Sequence, residues 1–207
     1  MITSEIIAGF EVYVDDGTEL STSEELALAN KIYNAVCNYR PWEWLKKVST
    51  TAISSNTITL PSDFAYVCSN YQSTDSSVGQ ESTTAPKCVF VGTNLTPVRI
   101  INFSDRRQYP NQNVCYIDPT DSKIHFIQTQ TETAAEFDYI KIPDALTLST
   151  SPIFPSRFHD IIYLGMAVDD YAIQQFDKAK SYANENQIKY NNIMKDMSFA
   201  NAQFNFS

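Results

Sequence analysis

Two histidines and four cysteines, with scattered carboxylates, are the reactive side chains that this 207-residue chain offers. Zinc and similar ions need close ligand pairs such as Cys-x-x-Cys. Cys37, Cys68, Cys88 and Cys115 stand far apart with no such pair, so they are expected to be buried thiols and no metal or cofactor is expected. No Gly-x-Ser-x-Gly elbow, phosphate loop, His-Glu-x-x-His or dinucleotide fingerprint occurs. Only 5 glycines are present, which leaves little material for loops that cradle phosphate. His159, between Phe158 and Asp160, reads as a capping or packing residue rather than a general base. His125 alternates with Ile124 and Phe126 on an expected strand and should face solvent. Adjacent carboxylates such as Asp169 and Asp170 form no recognisable acid/base motif. Catalysis is therefore not expected.

The aromatic residues are the more informative set. Trp42 and Trp44 follow Pro41, and if their segment were helical they would point about 200° apart, one to the core and one to a partner. Phe199, Phe204 and Phe206 lie near the C-terminus, where exposed phenylalanines are costly unless something covers them. These five residues are the candidate partner interface. The net charge of −9 arises from acids exceeding bases throughout the chain. Nucleic-acid grips need clustered Lys and Arg, and Lys46-Lys47 and Arg106-Arg107 are the densest groups here. Met1 to Phe10 lacks a basic, apolar leader pattern, so a secretory signal is not expected. No apolar run is long enough to span a membrane.

Positioning elements follow from periodicity. Ser21-Thr22-Ser23-Glu24 has capping-box spacing and should open a helix whose apolar stripe runs through Leu26, Ala29, Ile32, Tyr33, Val36 and Cys37. Pro41 should end it. From Val48 to Ile142 short alternating runs predict strands, with Ser55-Asn56 as a two-residue hairpin turn. Gln72 to Lys87 has no apolar pattern and reads as a mobile loop. Pro143 to Phe154 reads as a linker. Helical pattern then resumes from Ser156 to Met197 with a bend expected near Asp177 or Asn184, and Ser198 to Ser207 reads as an extended tail.

Three short motifs carry a family likeness. Arg40-Pro41-Trp42-Glu43-Trp44-Leu45, then Leu60-Pro61-Ser62-Asp63-Phe64, then Pro155-Ser156-Arg157-Phe158-His159-Asp160-Ile161-Ile162 leading into a Tyr-rich helix pair, together resemble head-to-tail adaptor proteins of tailed bacteriophages. These include the tail accessory and tail tubular (gatekeeper) proteins of short-tailed phages. The likeness runs from about Leu20 to Met197 in the order and spacing of elements. It implies a non-enzymatic virion protein, made in the host bacterial cytoplasm, that forms a twelve-membered ring beneath the portal protein. The ring would contact tail or neck proteins and let genomic DNA pass without binding it. Some relatives are linked to cell-wall hydrolysis, but no carboxylate motif here supports that, and no catalytic residue is carried over.

The expected fold is α+β. A helical body is built from residues 1–47 and 143–197, an antiparallel β-sandwich or barrel-like lobe is inserted at 48–142, and 198–207 forms the extended tail. The alternative is a β-rich module that binds carbohydrate or a surface through Tyr and Trp, which the helices at both ends and the lack of a leader argue against. A small hydrolase has only the scattered carboxylates in its favour.

Overall fold

The computed structural model describes residues 1–14, 20–68, 87–173 and 179–204. It divides into one unit of Met1–Leu45 with Pro143–Ser207, and a second of Lys46–Ile142. The first holds helices α1 (Thr3–Tyr13), α2 (Thr22–Asn38), α3 (Asp160–Ile173) and α4 (Ala179–Phe204). The second holds strands β1 (Lys46–Ala52), β2 (Thr57–Thr59), β3 (Phe64–Val67), β4 (Cys88–Val91), β5 (Thr96–Ile101), β6 (Val114–Asp118), β7 (Lys123–Phe126) and β8 (Ala134–Lys141).

Helix α2 begins as its spacing predicts. The Glu24 carboxylate accepts from the Ser21 backbone N–H at 2.8 Å and from the Ser21 hydroxyl at 2.6 Å. Both bonds favour the charged acid, so Glu24 titrates below the ordinary range, the hydroxyl contributing most. Ala29, Ile32, Tyr33, Val36 and Cys37 form its buried stripe.

Helix α1 is not apparent in the sequence reading. It is short, yet Ile6, Ile7 and Phe10 bury one face, and Glu5 accepts from the Ile2 N–H at 2.9 Å. Tertiary burial supplies what its length cannot.

Helix α3 is the centre of this unit. Ile161, Ile162, Met166 and Ala167 are fully buried, and the other three helices pack on it. A helix so apolar must be covered on most sides. Close approach to α2 is set by Gly165, where an added Cβ would come within 2.6 Å of Ile32 Cγ2. Gly165→Ala is therefore expected to destabilise by about 1–3 kcal/mol through overpacking, outweighing the roughly 1 kcal/mol that alanine gains in helix propensity. A denaturant midpoint that rises in this variant would show that Ile32 yields freely.

One expectation for the helical part is corrected. α4 runs to Phe204, so Ser198 to Phe204 are helix rather than extended tail. Burial of Met197, Ala200 and Asn201 explains the difference, because a 3.6-residue repeat continues with small and polar side chains that an apolar count overlooks. Asn184 is inside α4, whereas Asp177, the other expected bend, lies outside the described residues, as do Asn205 to Ser207 and most of the Gln72 to Lys87 loop. The stretch from Pro143 to Phe154 carries no regular element but is stitched down. Asn30 donates to the Leu146 carbonyl at 3.0 Å and accepts its N–H at 2.7 Å, while Thr3 donates backbone N–H and hydroxyl to Thr150 O, both at 2.8 Å.

The second unit is a single sheet in the order β1-β8-β4-β5-β6-β7-β2, with β3 also on β8. β1 and β2 are consecutive across the Ser55-Asn56 turn yet stand at opposite ends of that order. The sheet therefore curls until it is nearly closed. Ser55 and Asn56 have φ of 51° and 62°, the left-handed pair that a tight hairpin turn requires. Ile58, Val89, Val98, Cys115, Ile124 and Phe137 are each 0% exposed and fill the interior. The lobe is mixed and not wholly antiparallel as expected. β5 and β6 run parallel, with Ile100 opposite Cys115. A parallel neighbour needs a crossover of about a dozen residues. Residues 102–113 provide it through a 3-10 turn at Phe103–Gln108, pinned where the Arg106 guanidinium lies 3.7 Å over the Phe103 ring.

Candidate functional site

The α2 exit builds the most distinctive surface of the helical unit. Helix geometry ends at Asn38, and a bend at Tyr39 and Arg40 followed by Pro41 leads into a 3-10 turn at Glu43–Leu45. This changes where the tryptophans go. They do not diverge as an α-helix would make them; their rings stack 4.7 Å apart with 15° between planes. Trp42 is fully buried and donates its Nε1 hydrogen to the Val36 carbonyl at 2.7 Å, capping the end of α2. Tyr39 also stacks on Trp42 at 6.4 Å, and the Arg40 guanidinium lies 5.5 Å over the ring.

Trp44 is half-buried and continues the stack toward Phe154 at 6.5 Å. Its Nε1 is buried without an acceptor among the described residues. An unmet buried donor costs about 1–3 kcal/mol, so the position is not optimised for the isolated chain. Beside it opens a cleft of about 330 Å³ lined by Glu43, Trp44, Ile153, Phe154 and Pro155. Its walls are apolar and aromatic, and Glu43 brings a carboxylate. The turn is fixed from the far end of the chain, since the Glu43 N–H donates to Asn201 Oδ1 at 2.7 Å. Asn201 itself is 1% exposed. The expected linker thus forms half of the cleft, which sequence spacing alone did not indicate.

The remaining candidates are dispersed. Phe199 is 70% exposed on α4. The Phe204 side chain and all of Phe206 lie outside the described residues. His159 is buried with Nδ1 3.1 Å from the Met1 carbonyl and Nε2 2.9 Å from the Phe154 carbonyl, and the neutral ring donates its single N–H to one of the two. Burial holds its pKa below the usual imidazole value, opposed by the bond to Phe154. A histidine kept neutral in the fold but free to charge when unfolded stabilises above its ordinary pKa, and that stability is lost as pH falls below it. Midpoints measured from pH 7.5 to 5 should therefore fall less steeply for His159→Gln than for the unsubstituted protein. Equal slopes would remove His159 from the acid response.

His125 does not simply face solvent. It is half-buried, stacks on Tyr116 at 5.4 Å and pairs with Asp121 at 2.8 Å. Asp118, Asp121 and His125 bring ligand atoms within 4.8 Å of one another in the β6–β7 turn, but Asp118 already accepts from Thr120 and Asp121 from Lys123 and His125. These bonds hold the hairpin turn itself. All four cysteines carry thiols outside any disulfide. Burial pushes the Cys88 and Cys115 thiols above the ordinary range, which suits packing and disfavours a nucleophilic thiolate.

A stack of aromatics at a helix exit, a cleft and no assembled catalytic group among the described residues describe an interaction surface without naming it. The family comparison decides the class: the model of the SU10 adaptor protein family matches residues 1–204. The chain belongs to the SU10 adaptor protein family. This is a family of phage head-to-tail adaptors, so the adaptor likeness of the three motifs holds over nearly the whole chain, α1 included. No curated protein matches the chain significantly. As an adaptor-family member the protein is a bacteriophage component that works through other phage proteins. No helix among its described residues is long and apolar enough to cross a membrane.

Proposed function

We propose that this adaptor is a structural, non-enzymatic neck protein that joins the portal to the tail as a twelve-membered ring and forms part of the DNA channel. The observation that carries the reading is the family match over residues 1–204. The helical body, residues 1–47 with 143–197, packs against its neighbours in the ring. The β lobe at 48–142 faces the tail or adjoining ring proteins, and the C-terminal residues reach the portal. A ring subunit needs two different, complementary faces. Trp44 and Phe199 are accessible aromatic anchors for such contacts. The net charge of −9 suits a channel wall, because a surface that repels phosphate lets DNA slide.

Mixing purified adaptor with its portal and imaging by negative stain should show added rings. A persistent monomer that ignores the portal would overturn the reading, and a lumen lined mainly by Lys and Arg would overturn the role given to the charge. The contribution of the C-terminus is tested by removing residues 205–207 alone, since a cut before Ser198 would also remove Ala200 and Asn201 from the body's core. Unchanged portal binding after the short deletion would exclude Phe206 as an anchor.

A further inference from the structure

The cleft beside Trp44 has a chemistry narrower than general stickiness, and its assignment rests on the adaptor reading above. We propose that it receives a basic side chain, Arg or Lys, from an extended segment of a neighbouring virion protein. Three features converge on that occupant. The volume of about 330 Å³ is the size of a small ligand site and suits one long side chain with part of its backbone. The walls are Trp44 and Phe154 with Ile153 and Pro155, an aromatic and aliphatic lining against which a guanidinium plane or an aliphatic stem packs well. Glu43 supplies a carboxylate for which no cationic partner is found among the described residues.

Charge selects among apolar partners. The protein carries −9 overall, so a basic segment is drawn to it while an acidic one is repelled. Arg40 does not fill the role, because its guanidinium lies over the Trp42 ring and Arg40 is not part of the cleft lining.

The test uses the full chain labelled with 5-fluorotryptophan, in which two tryptophans give two fluorine resonances. The probes are the peptide acetyl-Ala-Ala-Pro-Arg-Pro-Ala-Ala-amide and its twin with citrulline, the neutral isostere, in place of Arg. The Arg peptide is expected to shift the Trp44 resonance saturably, and the citrulline peptide to bind about fivefold more weakly. Added salt should narrow the difference. Glu43→Gln keeps the backbone bond to Asn201 and should erase the preference, and Glu43→Lys should abolish Arg binding. Equal affinity for the two peptides, no shift with either at millimolar concentration, or a preference that survives Glu43→Gln would each overturn the proposal. So would self-association that depends on Glu43, which would make a second copy the occupant. A chain that forms rings with the portal yet ignores the Arg peptide sinks this inference alone; one that binds the peptide but never joins the portal sinks the adaptor reading alone.

Discussion

Trp42→Ala is expected to lower stability by about 3–5 kcal/mol, the range for emptying the site of a fully buried large aromatic. For a chain of this size that corresponds to a midpoint lower by about 6–20 °C. The cost has three sources. The indole is 0% exposed, its Nε1 bond to the Val36 carbonyl caps α2, and its face supports Trp44 at 4.7 Å. Trp42→Phe keeps most of the area and loses the cap, so it should cost roughly 1–2 kcal/mol. Fluorescence of the remaining Trp44 during urea unfolding separates the two. A loss under 1 kcal/mol for alanine would mean that the stack is dispensable to the body and that Trp42 is not the structural member of the pair.

The second large effect is expected in the other unit. Phe137 is 0% exposed in β8, the strand flanked by β1 on one edge and by β3 and β4 on the other. Its ring meets Phe64 at 6.4 Å and Tyr139 at 5.9 Å, and among the described residues no other strand has as many partners. Phe137→Ala should cost about 3–5 kcal/mol. Both tryptophans belong to the helical unit, so their fluorescence is the wrong probe. Hydrogen exchange of β8 and its neighbours should speed up by about two to four orders of magnitude where it follows opening of the whole lobe. Unchanged protection at Phe137 and Tyr139 would contradict the core assigned to this sheet.

What the sequence disclosed depends on whether the signal is local. The Ser21 to Glu24 cap and the Ser55-Asn56 turn are each encoded within a few residues, and both form as their chemistry predicts. Helix α1 was hidden because its stability comes from α2 and α3, which a short window does not include. The final turns of α4 were hidden because Ala200 and Asn201, not large apolar residues, make their contacts. The parallel β5–β6 pair depends on the crossover through 102–113, a matter of topology that alternation cannot reveal.

For the site, the sequence singled out Trp42 and Trp44 but not their stacking, which follows from a bend before Pro41 and a 3-10 turn in place of an α-helix. It also missed the opposite wall of the cleft. Ile153, Phe154 and Pro155 reach Trp44 because their segment is pinned, locally by His159 and by Asn30 and Thr3 from distant parts of the chain. The family likeness was legible in the three short motifs because each lies at a junction between elements, where residue type is dictated most tightly.

The division of the chain has a consequence for its synthesis. Residues 46–142 are contiguous and contain every strand that the β lobe pairs, so this unit can fold once the ribosome has released them. The helical unit has no such freedom. Its central α3 and the α4 residue that fixes the Glu43 turn are made last, so α1 and α2 must wait, with Ile6, Phe10 and Trp42 uncovered, until translation is nearly complete. The nascent adaptor is thus a folded β lobe beside an unsatisfied helical pair, and the turn that carries Trp44 is fixed only as the last turns of helix emerge.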